Sequence, residues 1–380
     1  MTSTSSTLAL RCASCGRTHP LSDLPRTCAG CHGVLDLAGF TPAMPTLTDL
    51  AARPPTLWRY AEALPIPEPY DITMGEGMTP LVTAPGQPGV ALKADYLMPT
   101  GSFKDRGAVL LAAVAASLGV TRLLADSSGN AGTAIAAYAA RAGIACDIYI
   151  PADTSAGKIG QLRAYGAAVH QIPGTRDDTA RAAASAAGEP GMFYASHVYN
   201  PFFLHGTKTY VLELWEQLGG RLPDTLVLPV GNGTLVLGAY LGCVELRDQN
   251  LIDRLPRIIA VQAAGCAPLA SAFRDGRPAP VDITPNGTVA EGIAIARPAR
   301  GLQILAAVRA SGGAIVTVTD DAVRAAHASL ARSGLYVEPT SAVCWAAIHA
   351  GLVSAAPRRD GVPAVVAPLC GSGLKSKPPV

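Results

Sequence analysis

Charge is scarce in this chain of 380 residues and nearly balanced: 30 Lys and Arg face 28 Asp and Glu for a net charge of +2, and no basic run with interleaved aromatics occurs. That balance leaves no electrostatic footprint for nucleic acid or for a membrane surface. Long apolar runs are missing as well. The longest, over 108–117 and 134–140, are Ala-rich and too short to cross a bilayer. The opening MTSTSSTLALRCASC has neither the charged segment nor the long apolar segment of a secretory signal, so a cytoplasmic protein is expected. The nine cysteines are an odd number, which argues against a disulfide framework in a chain without such a signal.

What is present falls into three zones. Residues 1–40 hold Cys12, Cys15, Cys28 and Cys31 in a C-x2-C-x12-C-x2-C pattern, with LRCASCGRTHP and RTCAGCHGVLDL each reading as strand, knuckle and strand. Four thiolates paired in this way suit tetrahedral Zn²⁺, filled by protein and therefore structural; the plainer alternative is four reduced thiols in a degenerate ribbon. Cys146, Cys243, Cys266, Cys344 and Cys370 stand in apolar surroundings as small buried thiols would. Residues 41–87 are rich in proline (PPTLWRY, LPIPEPY, PGQP) and read as an irregular arm.

From residue 88 onward β and α signals alternate. GVALKAD, TRLLAD, CDIYIP, AVHQIP, TLVLPV, RIIAVQ, AIVTV and PAVVAPL suit buried parallel strands. Helical patterns over 105–118, 131–142, 157–166, 176–187, 206–219, 234–247, 320–333 and 340–352 lie between them, with N-caps expected at Asn130, Thr207 and Asp320. The alternation predicts an α/β protein with parallel sheets, whose ligands gather where strand carboxyl ends meet helix amino ends.

Four turns at such junctions carry the chemistry. In PTGSFKDRG, Lys104 opens an Ala-rich helix. The positive end of a helix disfavours a cation there and suits a neutral, imine-forming lysine; a surface lysine paired with Asp105 is the plainer alternative. In DSSGNAG, Ser127, Ser128 and Asn130 precede a helix, where free N–H groups receive a carboxylate or oxyanion; an ordinary capping turn looks the same. Gly231-Asn232-Gly233-Thr234 follows TLVLPV and suits a phosphate held by main-chain amides. It has no Gly-Lys-Ser/Thr, so it is no Walker loop, and no GxGxxG to favour a dinucleotide. CGSGLK, with Cys370, follows the last strand and offers a thiol and a hydroxyl.

Taken singly each turn is a modest signal, but their order and spacing resemble the fold-type II pyridoxal 5′-phosphate (PLP) enzymes, and within them the threonine synthase-like family. The resemblance runs through MGEGMTPL (74–81), GSFKDRG (101–107), SSGNAG (127–132), NPFFLHGTKT (200–209), VGNGT (230–234), EPTSA (338–342) and CGSGLK (370–375). It implies two parallel-sheet domains, a large one over 41–104 and 211–380 and a small mobile one over 105–210, after a zinc-ribbon-like unit over 1–40. It implies PLP on Lys104, its ring hydroxyl met by Asn130, its phosphate by Gly231, Asn232, Gly233 and Thr234, and its pyridine nitrogen faced by Cys370. Ser127, Ser128, Asn130 and Ala131 would line the substrate, and a homodimer is implied.

Several positions depart from threonine synthases, among them Cys370, which stands where such enzymes usually carry Thr. Phe203 stands where such enzymes typically carry Arg, and Ala131 where a Thr is common. A phosphorylated substrate calls for cations; Lys208 is the expected substitute, with Lys158 and Arg163 as others. Glu291 replaces a small residue and is expected at the substrate amine or leaving group, or else as a helix N-terminal carboxylate. His197 and His205 belong to the same region, where a structural histidine is the more common outcome. The expected function is PLP-dependent β/γ-elimination or replacement on an amino acid, foremost O-phosphohomoserine to threonine. A serine/threonine dehydratase or β-replacement synthase is the alternative among enzymes, and a catalytically silent PLP-binding paralogue the alternative outside them.

Overall fold

The computed structural model describes residues 8–23, 25–66, 71–189, 191–354 and 356–376; residues 67–70 of the Pro-rich arm lie outside them. The chain divides into two compact units. One comprises Met1–Pro45, Thr56–Gly75 and Lys104–Gly206, the other Thr46–Pro55, Glu76–Phe103 and Thr207–Val380.

The strands, in chain order, are β1 (Ala9–Cys12), β2 (Thr18–Pro20), β3 (Leu35–Ala38), β4 (Leu81–Ala84), β5 (Gln87–Lys93), β6 (Arg122–Ala125), β7 (Ala145–Pro151), β8 (Ala168–Ile172), β9 (Met192–Tyr194), β10 (Thr225–Pro229), β11 (Arg257–Ala263), β12 (Ala314–Val318) and β13 (Val365–Pro368).

In the first unit β6–β9 form a parallel sheet in the order β8-β7-β6-β9. The order reverses between β6 and β9, so the turn after β6 lies at a switch point, where open sheets bind ligands. The helix Lys104–Ser117 is buried from Asp105 to Ala115. Its Ala-rich sequence lets neighbours approach: a Cβ on Gly107 would meet the Phe203 ring at 2.3 Å, and one on Gly206 would meet the Arg106 carbonyl oxygen at 2.1 Å. Glycine is therefore required at both positions. The same unit carries the antiparallel sheet β2-β1-β3, whose small core is Leu10, Cys12, Cys28 and Leu35.

The second unit holds a six-stranded sheet in the order β12-β11-β10-β13-β5-β4, parallel except for β4. β10 is buried at all five positions, which is why its sequence TLVLP has no polar alternation. The reversal falls between β10 and β13, so the turns after these two strands share a switch point. The helix Pro339–His349, buried through Ile348, packs across this sheet and centres its core with Trp345.

All eight expected strands form. β4 and β9 have no counterpart among the sequence expectations, nor do the helices Pro268–Arg274 and Gly301–Ala310. The expected helix 206–219 is two helices, Pro201–Thr207 and Thr209–Gln217. The expected caps shift too. Asn130 and Asp320 are first helical residues behind Gly129 and Thr319, and Thr207 ends a helix. Thr319 accepts from the Ala322 N–H, a better geometry than Asp320 has from inside the helix.

Candidate active site

In the first unit Lys104 is the first residue of its helix. Its Nζ lies 5.7 Å from the centroid of the Phe203 ring, and His197 meets that ring edge-on at 6.0 Å. Burial, and after it the cations of Lys104 and Arg176, push the His197 imidazole well below its ordinary pKa. It is an uncharged aromatic ring there rather than a cation. Phe203 is fully buried, so the position expected to differ from threonine synthases is an apolar wall beside the lysine.

The turn after β6 runs into the helix Asn130–Arg141, whose N-cap Gly129 supplies no side-chain cap. Ser127 Oγ accepts the Gly129 N–H at 3.3 Å. A Cβ on Gly132 would sit 1.8 Å from the Ser127 carbonyl oxygen, so the turn folds tightly over the first helical turn. Ala131 is buried, while Ser127, Ser128 and Asn130 are half-buried.

In the second unit the turn after β10 passes through Gly233, at φ +78°, into the helix Thr234–Asp248, again without a side-chain cap. A Cβ on Gly231 would meet Ile293 Cα at 2.9 Å and one on Gly233 would meet Ile304 Cδ1 at 2.3 Å. Only glycine allows this turn, which runs into the positive end of a helix, where an anion is favoured. Asn232 lies between the two glycines, half-buried.

After β13, Cys370 is buried and its carbonyl accepts the Phe103 N–H at 2.9 Å. Ser102 pairs with Gly371 as an antiparallel bridge, Ser341 Oγ accepts from Gly371 N–H at 2.9 Å, and Lys375 Nζ donates to the Thr100 carbonyl at 2.7 Å. The segment that precedes Lys104 is thus clasped to the Cys370 turn. Within the clasp Ser102 Oγ is fully buried and has no hydrogen-bond partner among the described residues. Such an orphan is costly unless a ligand satisfies it. It lies in the same unit as the uncapped anion turn, and both suit a phosphorylated cofactor such as PLP; in the first unit, a lysine at a helix start suits the carbonyl of such a group.

Lys208 behaves differently from the expectation of a cation offered to substrate. Its side chain is wholly buried and its Nζ meets both Glu245 oxygens, at 2.8 and 2.7 Å. Burial pulls its pKa down to about 8, against the opposing pull of Glu245. Its charge is already matched inside the second unit. Glu291 opens the short helix Glu291–Ile293 and is exposed, its neighbour Gly292 bonded to Thr340 Oγ1 at 3.1 Å. Two residues escaped the motif reading: Ser102, hidden inside GSFKDRG, and Glu338, whose carboxyl carbon would lie 2.5 Å from a Cβ on Gly371. His205 is buried and meets Phe40 edge-on at 5.7 Å, a packing role.

Cys12, Cys15, Cys28 and Cys31 converge, their sulfurs all within 4.8 Å of one another. The Cys12–Cys31 and Cys15–Cys28 pairs are 3.4 and 3.6 Å apart, near the roughly 3.8 Å edge of a tetrahedron with Zn–S bonds of about 2.3 Å. Knuckle N–H groups of Ser14 and Cys15 point at Cys12 Sγ, and that of Gly30 at Cys28 Sγ. The donor set fits Zn²⁺.

These features define a PLP-dependent enzyme of fold type II, and comparison with known proteins agrees. The family model described as pyridoxal-phosphate dependent enzyme matches residues 72–371. The threonine synthase of Methanosarcina acetivorans is 35% identical over 90% of this chain and 86% of that protein. The threonine synthase of Methanocaldococcus jannaschii is 33% identical over 96% and 92%. Among solved structures, a threonine deaminase from T.th. superposes with a TM-score of 0.66 at 26% identity, covering 88% of this chain and all of that one. The chain belongs to the threonine synthase family of PLP-dependent enzymes, and it is a PLP-dependent lyase of that kind.

Proposed function

We propose that this enzyme converts O-phosphohomoserine and water to threonine and phosphate. The observation that carries the reading is that relatives covering 90% and 96% of this chain are named threonine synthases, in a chain that places Lys104 at the start of its helix.

When bound, PLP withdraws electrons from the substrate Cα bonds. Lys104 would hold the cofactor, and its amine would take and return protons on the substrate carbons. The amides of Gly231, Asn232, Gly233 and Thr234, with the Thr234 hydroxyl, would hold the cofactor phosphate. Asn130 would donate to the ring hydroxyl, and Ser127, Ser128 and the N–H groups of the turn would bind the substrate carboxylate. Cys370 would lie on the pyridine side of the cofactor. A neutral thiol there does not keep that nitrogen protonated, which suits elimination over transamination. The reading further includes Zn²⁺ in the cysteine tetrad, a cytoplasmic location and a homodimer, for which the exposed Leu97 and Leu302 offer apolar surface.

Phe203 and Ala131 favour a second reading, a serine or threonine ammonia-lyase, since neither offers charge to a phosphate. The test is an absorbance titration of the PLP-loaded protein. Phosphate release and a band shift with O-phosphohomoserine support the synthase. A shift only with serine or threonine, with ammonia release, supports the lyase. A band absent from wild type, or one retained in full by Lys104→Ala, would sink both.

A further inference from the structure

Asp126 has no part in the chemistry proposed above, yet it is the residue between β6 and Ser127 and is almost wholly buried. A carboxylate in that position has to be matched, and both of its oxygens are. Tyr194 Oη donates to Oδ1 at 2.8 Å and Arg176 Nη2 to Oδ2 at 3.0 Å. Arg176 is half-exposed, so the buried partner is Tyr194, the last residue of β9. Burial, and then the Asp126 charge, raise the Tyr194 phenol far above its ordinary value, so it stays a donor.

Tyr194 is covered in turn. The Arg26 guanidinium carbon lies 5.4 Å from the Tyr194 ring centroid and 4.9 Å from that of Tyr199. Arg26 Nε is buried without an acceptor among the described residues, a cost that the two aromatic faces offset. Arg26 stands two residues before Cys28 of the cysteine tetrad. At the other end there is no slack: the Ser127 carbonyl is packed against Gly132, so a shift of Asp126 passes directly to the start of the Asn130 helix.

We propose that Tyr194 and Arg26 are positioning residues for the Ser127–Asn130 turn, acting through Asp126 and tying the cysteine knuckle to substrate binding. This rests on the substrate role given to that turn above. The test uses the PLP-loaded full chain. Tyr194→Phe keeps the ring and removes only the hydroxyl, and Arg26→Leu removes the cation. Tyr194→Phe is expected to raise KM about tenfold, the scale of one hydrogen bond to a charged group, with kcat within about twofold and the cofactor band retained. Arg26→Leu shifts KM the same way by less, and the double variant shows less than the product of the two effects. An unchanged KM in both variants, or strictly multiplicative effects, overturns the proposal, and a fall in melting temperature alone marks a merely structural role. If Tyr194→Phe does not fold, Arg26→Leu decides alone. If wild type releases no phosphate from O-phosphohomoserine, the functional reading fails separately. The same comparison is then made on the dissociation constant of whichever of serine or threonine shifts the band.

Discussion

The Phe103 N–H donates to the Cys370 carbonyl at 2.9 Å, so the residue before the cofactor lysine is held by the residue that faces the pyridine ring in the proposed site. The contact depends on Gly371, whose added Cβ would lie 2.5 Å from the Glu338 carboxyl carbon. Gly371→Ala forces one side of the clasp to move. Overpacking of this kind costs roughly 1–3 kcal/mol, and the expected outcome is PLP affinity weakened about tenfold or more, read by titrating the cofactor band. A variant that binds PLP as wild type does would show that the clasp leaves the lysine unconstrained.

Gly233 offers a cleaner test of the phosphate turn. Its φ of +78° and the Ile304 Cδ1 atom 2.3 Å from an added Cβ act together against any side chain. Gly233→Ala is expected to lose roughly 1–3 kcal/mol in urea denaturation and to weaken PLP and inorganic phosphate binding in parallel. Stability lost with phosphate binding intact would remove the turn from the site.

The strands legible in the sequence are those buried on both faces, such as β10 and β13, because continuous Val and Leu between Gly-rich turns has few other readings. β9 is not legible, since its three residues owe their strand geometry to pairing with β6. The single helix expected over 206–219 fails because hydrophobic periodicity continues through Lys208, where the chain breaks between two helices. Lys208 itself shows the limit for site residues. A lysine inside a family motif reads as a ligand-facing cation, and only the fold reveals that Glu245, 37 positions away, already matches it.

That pairing predicts a pH effect. Burial, outweighing Glu245, depresses the folded Lys208 pKa to about 8, against about 10.4 in an unfolded chain. Between these values the unfolded state binds more protons, so this group's contribution to stability rises with pH across that window. Urea unfolding of wild type minus Lys208→Met should show the rise. At pH 7 Lys208→Met should cost about 3–5 kcal/mol because Glu245 is left buried and unpaired, and the Lys208→Met/Glu245→Gln pair should cost less. A variant of normal stability with a raised KM for O-phosphohomoserine would instead return Lys208 to the substrate.

The cysteine tetrad makes a prediction independent of PLP. Its four sulfurs lie within 4.8 Å of one another, and the core around them, Leu10, Cys12, Cys28 and Leu35, offers too little apolar surface to hold β1–β3 together. A metal supplies what that core lacks, since binding free energy at such sites is folding free energy. Purified protein is therefore expected to carry one Zn²⁺ per chain by elemental analysis, and Cys28→Ser to lose it. Proteolysis should then cut first within residues 8–40, while the PLP band at Lys104 persists. Because Arg26 lies two residues from Cys28, the zinc-free variant should also show the raised KM of Arg26→Leu. Protein that holds no zinc yet resists proteolysis in this segment would mean that the hydrogen-bonded thiols alone, with His19 Nε2 3.4 Å from Cys28 Sγ, suffice to order the knuckle.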